Sequence, residues 1–351
     1  MSQGRLTKAK RSFITRNVLF AGDEQLTQGV PAEGDLLLAR VDRVRQHTRL
    51  ENIHGRREHL YPGDEIILVA GRRYSTAQFK AELPQALGPA HLVAAGGIAA
   101  QVTARCNRIK PATEITLLGL IANKQGAPLN LADFAPLSGS RKTVASMPQL
   151  VVVGSDMDAG KTTSAAAVIN GLSGLGYKVF AAKLTGTGAG PDFWRMQDAG
   201  SYSVMDFVDA GWPSTVGRTT AELLALHSRL TDAAVRSGAD LMVVELADGI
   251  FQPETAKLIQ NPEFKARVTT CLVAADSATA AAMVSQQLLR SGVPVCGISG
   301  VITSSPVACD EVRQQSGLPV YTEEQLISAP MAEYLHATLI RPVKHAAVSA
   351  G

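Results

Sequence analysis

Residues 151–172 read VVVGSDMDAGKTTSAAAVINGL: an apolar run, a loop of small residues, Gly-Lys-Thr, and then a helix-forming stretch. That order suits phosphate. Backbone N–H groups of such a loop turn inward on phosphate oxygens, and the N-terminus of the following helix adds partial positive charge. Lys161 is placed to reach the β- and γ-phosphates of a nucleotide, the Thr162 hydroxyl to hold Mg²⁺, and Gly160 to let the backbone approach closely. The expected cofactor-binding segment is Gly154, Ser155, Asp156, Met157, Asp158, Ala159, Gly160, Lys161, Thr162 and Thr163. Five residues rather than four separate Gly154 from Gly160, so Ser155 stands at the usual first-glycine position. The competing reading is an ordinary strand-to-helix turn, and the correct flanks on both sides favour phosphate.

Other residues are candidates for the same chemistry. Glu245 closes the apolar run LMVVE, the place for a metal-side carboxylate, and Asp248 just beyond it is either a second ligand or a turn former. Lys183 follows KVFAA and is expected at the C-terminal edge of a strand, where open α/β sheets bind ligands and a cation can neutralise a transferring phosphoryl group. The Gly-rich TGTGAGPDFWRMQDAG, residues 185–200, suits a substrate lid or a metal contact, with Trp194 either a core anchor or a stacking surface. Residues 43–60, RVRQHTRLENIHGRREHL, hold His47, His54 and His59 among arginines; a solvated surface is the plain reading and an anion site the rarer one. There is no metal-ligating histidine spacing, no Gly-x-Ser-x-Gly and no catalytic-cysteine signature.

Positioning these groups requires a parallel sheet. Apolar runs at 149–153, 178–183, 240–246, 269–275 and 295–302 alternate with helical stretches at 161–175, 220–237 and 278–291. Strands alternating with helices mean βαβ units. The first part of the chain has another texture. DLLLARVDRV, EIILVAG and TEITLLGLIA are short runs separated by turn residues, which predicts a small sheet or barrel. Residues 94–102, rich in Ala and Gly, are either helical or a close-packed loop. The expected fold class is α/β, a Rossmann-like three-layer P-loop domain with a parallel sheet, preceded by a smaller β-rich domain. The expected divisions are a flexible basic tail at 1–22, the β-rich domain at 23–140, a linker at 136–147, the nucleotide domain at 148–340 and a tail at 341–351.

Length and composition agree. The 351 residues are 46% hydrophobic and 19% charged, enough for two ordinary cores. A net charge of +3 gives no reason to expect nucleic acid or a membrane as partner. Four cysteines without a Cys-x-x-Cys pair point to a reducing cytoplasm, and no apolar run reaches the roughly 18 residues of a membrane helix.

The loop Gly-Ser-Asp-Met-Asp-Ala-Gly-Lys-Thr resembles that of the dethiobiotin synthetases, Gly-Thr-Asp-Thr-Asp-x-Gly-Lys-Thr, in its spacing and in both aspartates. AAKLTGTG is similar to the family's Lys-Pro-x-x-Ser-Gly, with Leu184 in place of proline, so the resemblance makes Lys183, Thr187 and Gly188 substrate-binding. VVELADG is similar to Val-Glu-Gly-Ala-Gly-Gly and supplies Glu245, although Leu246 and Asp248 replace glycines there. The resemblance also implies a Mg²⁺ ligand near Asp198, with Asp192 and Asp206 as competitors, and a base-reading group near Thr303. MDFVDAG, residues 205–211, and ELADGIFQP are similar to segments of the domain-of-unknown-function family 1611, whose members also carry a leading domain. Both resemblances fall in the last 200 or so residues.

Taken together, these readings imply Mg²⁺- and ATP-dependent phosphoryl transfer that activates a small carboxylate, in a synthetase, ligase or kinase. Lys161, Lys183 and Asp158 are the catalytic candidates and Thr162, Glu245 and Asp198 the metal candidates. The absence of a guanine-reading Asn/Thr-Lys-x-Asp favours ATP. A nucleotide-gated switch or assembly factor, and an acyltransferase holding coenzyme A, remain alternatives. Partners are a small-molecule substrate and, by the first resemblance, a second copy in a homodimer.

Overall fold

The computed structural model describes residues 2–137 and 147–340. The expected tail at 341–351, and the linker apart from its ends, lie outside the described residues. By packing, the chain divides into two compact units. One holds residues 1–143, 183–195 and 205–233; the other holds 144–182, 196–204 and 234–351.

The first unit is built on ten strands: β1 (Lys10–Arg11), β2 (Gln25–Thr27), β3 (Leu36–Arg43), β4 (Arg49–Glu51), β5 (Arg57–His59), β6 (Glu65–Ala70), β7 (Phe79–Glu82), β8 (Gly88–Ala94), β9 (Ile98–Arg105) and β10 (Thr113–Ala122). Neighbours run β6-β3-β10-β8-β9, and β9 pairs back onto β6, so five strands close on themselves. Closure removes the unpaired edges that a small open sheet would expose. The interior is filled by alternate residues, Leu37, Ala39 and Val41 from β3 and Ile66, Leu68 and Ala70 from β6. Residues 94–102 are not helical. They form the turn and strand of the β8–β9 hairpin, and Gly97 takes a φ of 111° there, which a helix does not allow.

Residues 2–18 are folded, which corrects the expected flexible tail. α1 (Ser2–Lys8) leads into β1, which pairs with β6, and Phe13 and Ile14 are fully buried. Arg5, Lys10 and Arg16 have acidic partners far along the chain. Arg16 donates to Asp206 at 2.8 Å and to Asp209 at 2.9 Å, with Asn17 on the other Asp209 oxygen at 2.7 Å. Burial opposes the Arg16 charge, but the two carboxylates outweigh it and hold its pKa above the usual value. The Arg16 guanidinium also lies 4.5 Å from the Phe13 ring and 4.9 Å from the Phe193 ring.

The second sheet has six strands in the order β13-β12-β14-β11-β15-β16, where β11 is Gln149–Gly154, β12 Val179–Thr185, β13 Ser203–Asp206, β14 Leu241–Gly249, β15 Thr270–Ala274 and β16 Val295–Ser299. The pairings β11–β14, β11–β15 and β15–β16 are parallel. Helices follow in chain order: α2 (Lys161–Gly174), α3 (Gly190–Asp198), α4 (Thr220–Ser237), α5 (Pro253–Gln260), α6 (Pro262–Arg267), α7 (Ala278–Arg290), α8 (Pro306–Ser316), α9 (Glu323–Ile327) and α10 (Ala329–Ile340). Every residue of β11 is buried, as a strand covered on both faces must be, and α2 packs its Ala165–Leu172 stretch into the same core as Leu150 and Val152. This is the expected α/β class. Among the described residues, no helix is long and apolar enough to cross a membrane.

Two outcomes test the first unit. Phe13→Ala removes a fully buried ring and should cost about 3–5 kcal/mol, read as a lower urea midpoint. His47 was expected on a solvated surface, yet its ring packs edge-on to Phe79 and its Nε2 lies 2.9 Å from the Val93 carbonyl. Burial and the Arg73 guanidinium push its pKa from 6.5 down to about 4. The unfolded chain therefore binds a proton that the folded one refuses, so stability is complete above 6.5 and is lost as pH falls toward 4. The loss should be on the order of 2 kcal/mol after allowing for partial exposure, and His47→Gln should flatten the stability curve over that window.

Candidate functional site

The loop after β11 is held open by close backbone contacts. Gly160 begins α2 in the left-handed region with φ of 93°, and a Cβ there would lie 2.9 Å from the Gly300 Cα. Gly300 answers with φ of 97°, and a Cβ on it would collide with the Ala159 carbonyl, which accepts from the Val301 N–H at 3.1 Å. At the other end of the loop, Gly154 leaves room for the Lys161 side chain, whose Cδ would otherwise meet a Cβ at 2.6 Å. Asp158 also takes a positive φ, 63°, in a loop where its side chain is exposed. Aspartate accepts that backbone more readily than most residues.

Lys161 is buried and donates from Nζ to the Asp156 carbonyl at 2.6 Å, so its amine lies within the curve of the loop. The first turn of α2 has no side-chain cap, as suits a helix start that meets an anion. Thr162 Oγ1 donates to Glu245 Oε1 at 3.1 Å, and Glu245 is only 2% exposed. That proximity follows from strand order. β14 lies beside β11, with Glu245 opposite Val152. Glu245 does not end its strand as expected. β14 runs on to Gly249 through an irregularity in its pairing with β11, and Asp248 takes φ of 61° within it. Gly249 is required because a Cβ there would press on the Ser155 carbonyl.

A cavity of about 630 Å³ opens beside this loop, lined by Gly160, Thr163, Gly300, Thr303, Ser304 and Glu324. Its size is in the range of small-molecule sites. Thr303 Oγ1 donates to the Gly300 carbonyl at 2.8 Å, which fixes the bend after β16. Gly300 was missed from the sequence. The only signal was a Ser-Gly pair closing an apolar strand, and nothing in it foretold the touch on residue 159.

The remaining candidates divide. Lys183, Thr187 and Gly188 belong to the first unit. Lys183 is buried and forms an ion pair with Asp192. Thr187 makes a bridge to Ser214, and the Gly188 N–H donates to the Pro213 carbonyl at 2.9 Å. The resemblance had placed a Mg²⁺ ligand at Asp198, but this residue is exposed at the end of α3. Among the described residues, no group of three or more His, Cys, Asp or Glu side chains is arranged to hold a metal. Asp206 is committed instead to Arg16 and to capping the turn Phe207–Ala210, where its side chain accepts from Val208. Glu51, absent from the expectations, is buried and accepts the Gly190 N–H at 2.8 Å.

A glycine loop between a buried parallel strand and a helix, with lysine inside it and a hydroxyl–carboxylate pair at its foot, decides the class. The second unit has a P-loop-type α/β fold. No family model matches the chain, and no curated protein matches it. Among solved structures it is similar to the 54 kDa signal recognition particle protein of Aeropyrum pernix K1 in complex with GDP, at 18% identity and a TM-score of 0.38. That match covers 60% of this chain and spans half the length of the other. The receptor FtsY of Elizabethkingia anophelis in complex with GDP is similar at 15% identity and a TM-score of 0.38, over 60% of this chain and 70% of the other. The kinase domain of the Escherichia coli tyrosine kinase ETK follows at 16% identity and 0.33, over 44% and 68%. The assignment of the P-loop rests on the geometry of this chain.

Gly160→Ala tests that geometry. It sets a methyl group against Gly300 and requires a backbone that alanine resists, so nucleotide binding should weaken at least tenfold, or about 1.4 kcal/mol, in a calorimetric titration.

Proposed function

We propose that this chain is a Mg²⁺- and ATP-dependent phosphoryl-transfer enzyme that activates a small carboxylate for attack by nitrogen or another nucleophile. The observation that carries the proposal is the hydrogen bond from Thr162 to the buried Glu245. A carboxylate held inside a parallel sheet is costly unless something compensates its charge. A hydroxyl at the head of α2 facing that carboxylate is the donor pair that Mg²⁺ takes, and Mg²⁺ keeps several waters and phosphate oxygens besides. The residues therefore fit the metal with Thr162 and Glu245 as its protein side, and Asp198 is not needed. When bound there, Mg²⁺ neutralises charge on phosphoryl oxygens.

In this reading the loop and the α2 N-terminus bind the phosphates, and Lys161 holds the β–γ region. The cavity beside Gly160 and Thr303 takes the nucleoside. Lys183, Thr187 and Gly188 face the substrate. A substrate carboxylate oxygen attacks the γ-phosphorus, the bridging P–O bond to the β-phosphate breaks, and ADP leaves. The nucleophile then attacks the acyl carbon, the C–O bond to the phosphate breaks, and inorganic phosphate leaves. Little covalent work falls to the protein. Lys161 and Lys183 orient and neutralise, and Asp158 is exposed in the loop, where it can orient a nucleophile. Coenzyme A held by the same loop would have no use for Glu245.

One observation favours a second reading, a nucleotide-gated switch. The end of β14 lies against the Ser155 backbone through Gly249, and Asp248 beside it has a strained φ. Changes in the loop would be transmitted to residues 246–249 directly.

The test is binding of ATP, GTP and acetyl coenzyme A, with and without Mg²⁺, to wild type, Lys161→Ala and Glu245→Gln. Mg²⁺-dependent ATP binding should be lost in Lys161→Ala. In Glu245→Gln, the gain in affinity on adding Mg²⁺ should shrink about tenfold or more. With ATP binding established, release of ADP in step with an added carboxylate supports transfer. Slow hydrolysis indifferent to carboxylates supports the switch. Coenzyme A binding without a metal effect overturns both.

A further inference from the structure

Glu51 lies in the Arg- and His-rich stretch that looked like solvated surface, yet it is 2% exposed. Strand alternation accounts for this. In β4, Leu50 enters the barrel core, so Glu51 faces the other way, across from Arg57 in β5. There it meets the start of α3. Its Oε2 accepts the Gly190 N–H at 2.8 Å, and a Cβ at Gly190 would overlap the Glu51 carboxyl and lie 2.8 Å from Trp194 Nε1. Gly55, in the turn between β4 and β5 with φ of 83°, packs against the Trp194 indole, which a Cβ there would meet at 2.8 Å. The β4–β5 hairpin thus grips the first turn of α3 at two points. Asp192 lies in that turn, and Asp192 pairs with Lys183.

We propose that Glu51 is a positioning residue: by anchoring the N-terminus of α3, it holds Asp192 against Lys183 and so sets how the Lys183 amine is presented. Glu51, Gly190, Asp192 and Lys183 all belong to the β-rich unit. A carboxylate accepting the first N–H of a helix also meets the positive end of its dipole, so the anchor is a charge-assisted bond. Burial raises the Glu51 pKa, as does the neighbouring Asp192, while the Gly190 N–H, Arg57 and Trp194 oppose the rise. The inference rests on Lys183 belonging to the transfer site proposed above, but its test can be read without turnover.

In the full-length chain, acetylation of Lys183 by N-hydroxysuccinimide acetate would be timed by peptide mass spectrometry in wild type, Asp192→Asn, Glu51→Ala and Glu51→Gln. Asp192→Asn and Glu51→Ala should each speed labelling about tenfold, whereas Glu51→Gln, whose amide oxygen can accept the same N–H, should recover most of the wild-type protection. Gly190→Ala, which displaces Glu51 without removing it, should accelerate labelling as Glu51→Ala does, and it serves if Glu51→Ala does not fold. Wild-type protection in Glu51→Ala, or no rescue by Glu51→Gln, overturns the proposal. Turnover of Mg²⁺-ATP gives the second readout: Glu51→Ala should lower kcat about tenfold with KM for ATP within about twofold. If wild type itself fails to bind Mg²⁺-ATP, the nucleotide reading falls, while the order of labelling rates still decides the role of Glu51.

Discussion

Backbone must touch backbone at the head of α2, and most of the second unit follows from that constraint. A loop that turns its N–H groups toward phosphate has no room for side chains on its inner side or where it crosses its neighbours. Here the crossing partners are Gly160 with Gly300, Ser155 with Gly249, and Gly154 with the Lys161 side chain. Each pair ties the loop to a different strand end: Gly300 follows β16, Gly249 closes β14, and Gly154 ends β11. The order β14-β11-β15-β16 is what brings those ends to one place. Glu245 gains its position from the same order, since the register of β14 against β11 fixes its height relative to Thr162.

The β-rich unit solves a different problem, the burial of charge. Arg16, Asp206 and Asp209 are all nearly sealed from solvent, as are Lys183 and Glu51. Such groups are tolerable only when each is matched. The matches are made between segments far apart in sequence: residue 16 with 206 and 209, and residue 51 with 190. They are supported by an aromatic cluster in which the Phe13 ring lies 5.6 Å from Phe193 and 6.0 Å from Trp194. Buried pairs of this kind contribute less to net stability than to specificity, because any alternative packing strands a charge. Here the specificity falls on the segments 183–195 and 205–233.

This contrast explains what the sequence could reveal. The strands at 149–153 and 269–275 were legible because a strand covered on both faces is a continuous apolar run, and α2 because a run of helix formers of its length is a local signal. The loop between β11 and α2 was legible for the same reason, since it is complete within ten residues. What failed was non-local. The basic segment before residue 18 read as a tail because its charges were counted without partners nearly 200 positions away. Glu51 was lost among the five arginines of residues 43–60 and other polar neighbours, and only the alternation of a three-residue strand turns it inward. The extension of β14 through Asp248 depended on a left-handed aspartate that no apolar pattern announces.

The two lysines at the centre of the proposal are held in physically different ways, and the difference bears on what each can bind. Lys161 donates to a main-chain carbonyl, a neutral partner that a phosphate oxygen replaces with a gain in charge attraction. Lys183 pairs with the Asp192 carboxylate. A ligand that takes this amine must outcompete a carboxylate already in place, and drawing Lys183 away loosens its hold on Asp192. In the proposed reaction an anionic acceptor is better matched to that competition than an alcohol, because a neutral group offers the ammonium no charge to set against the one it gives up.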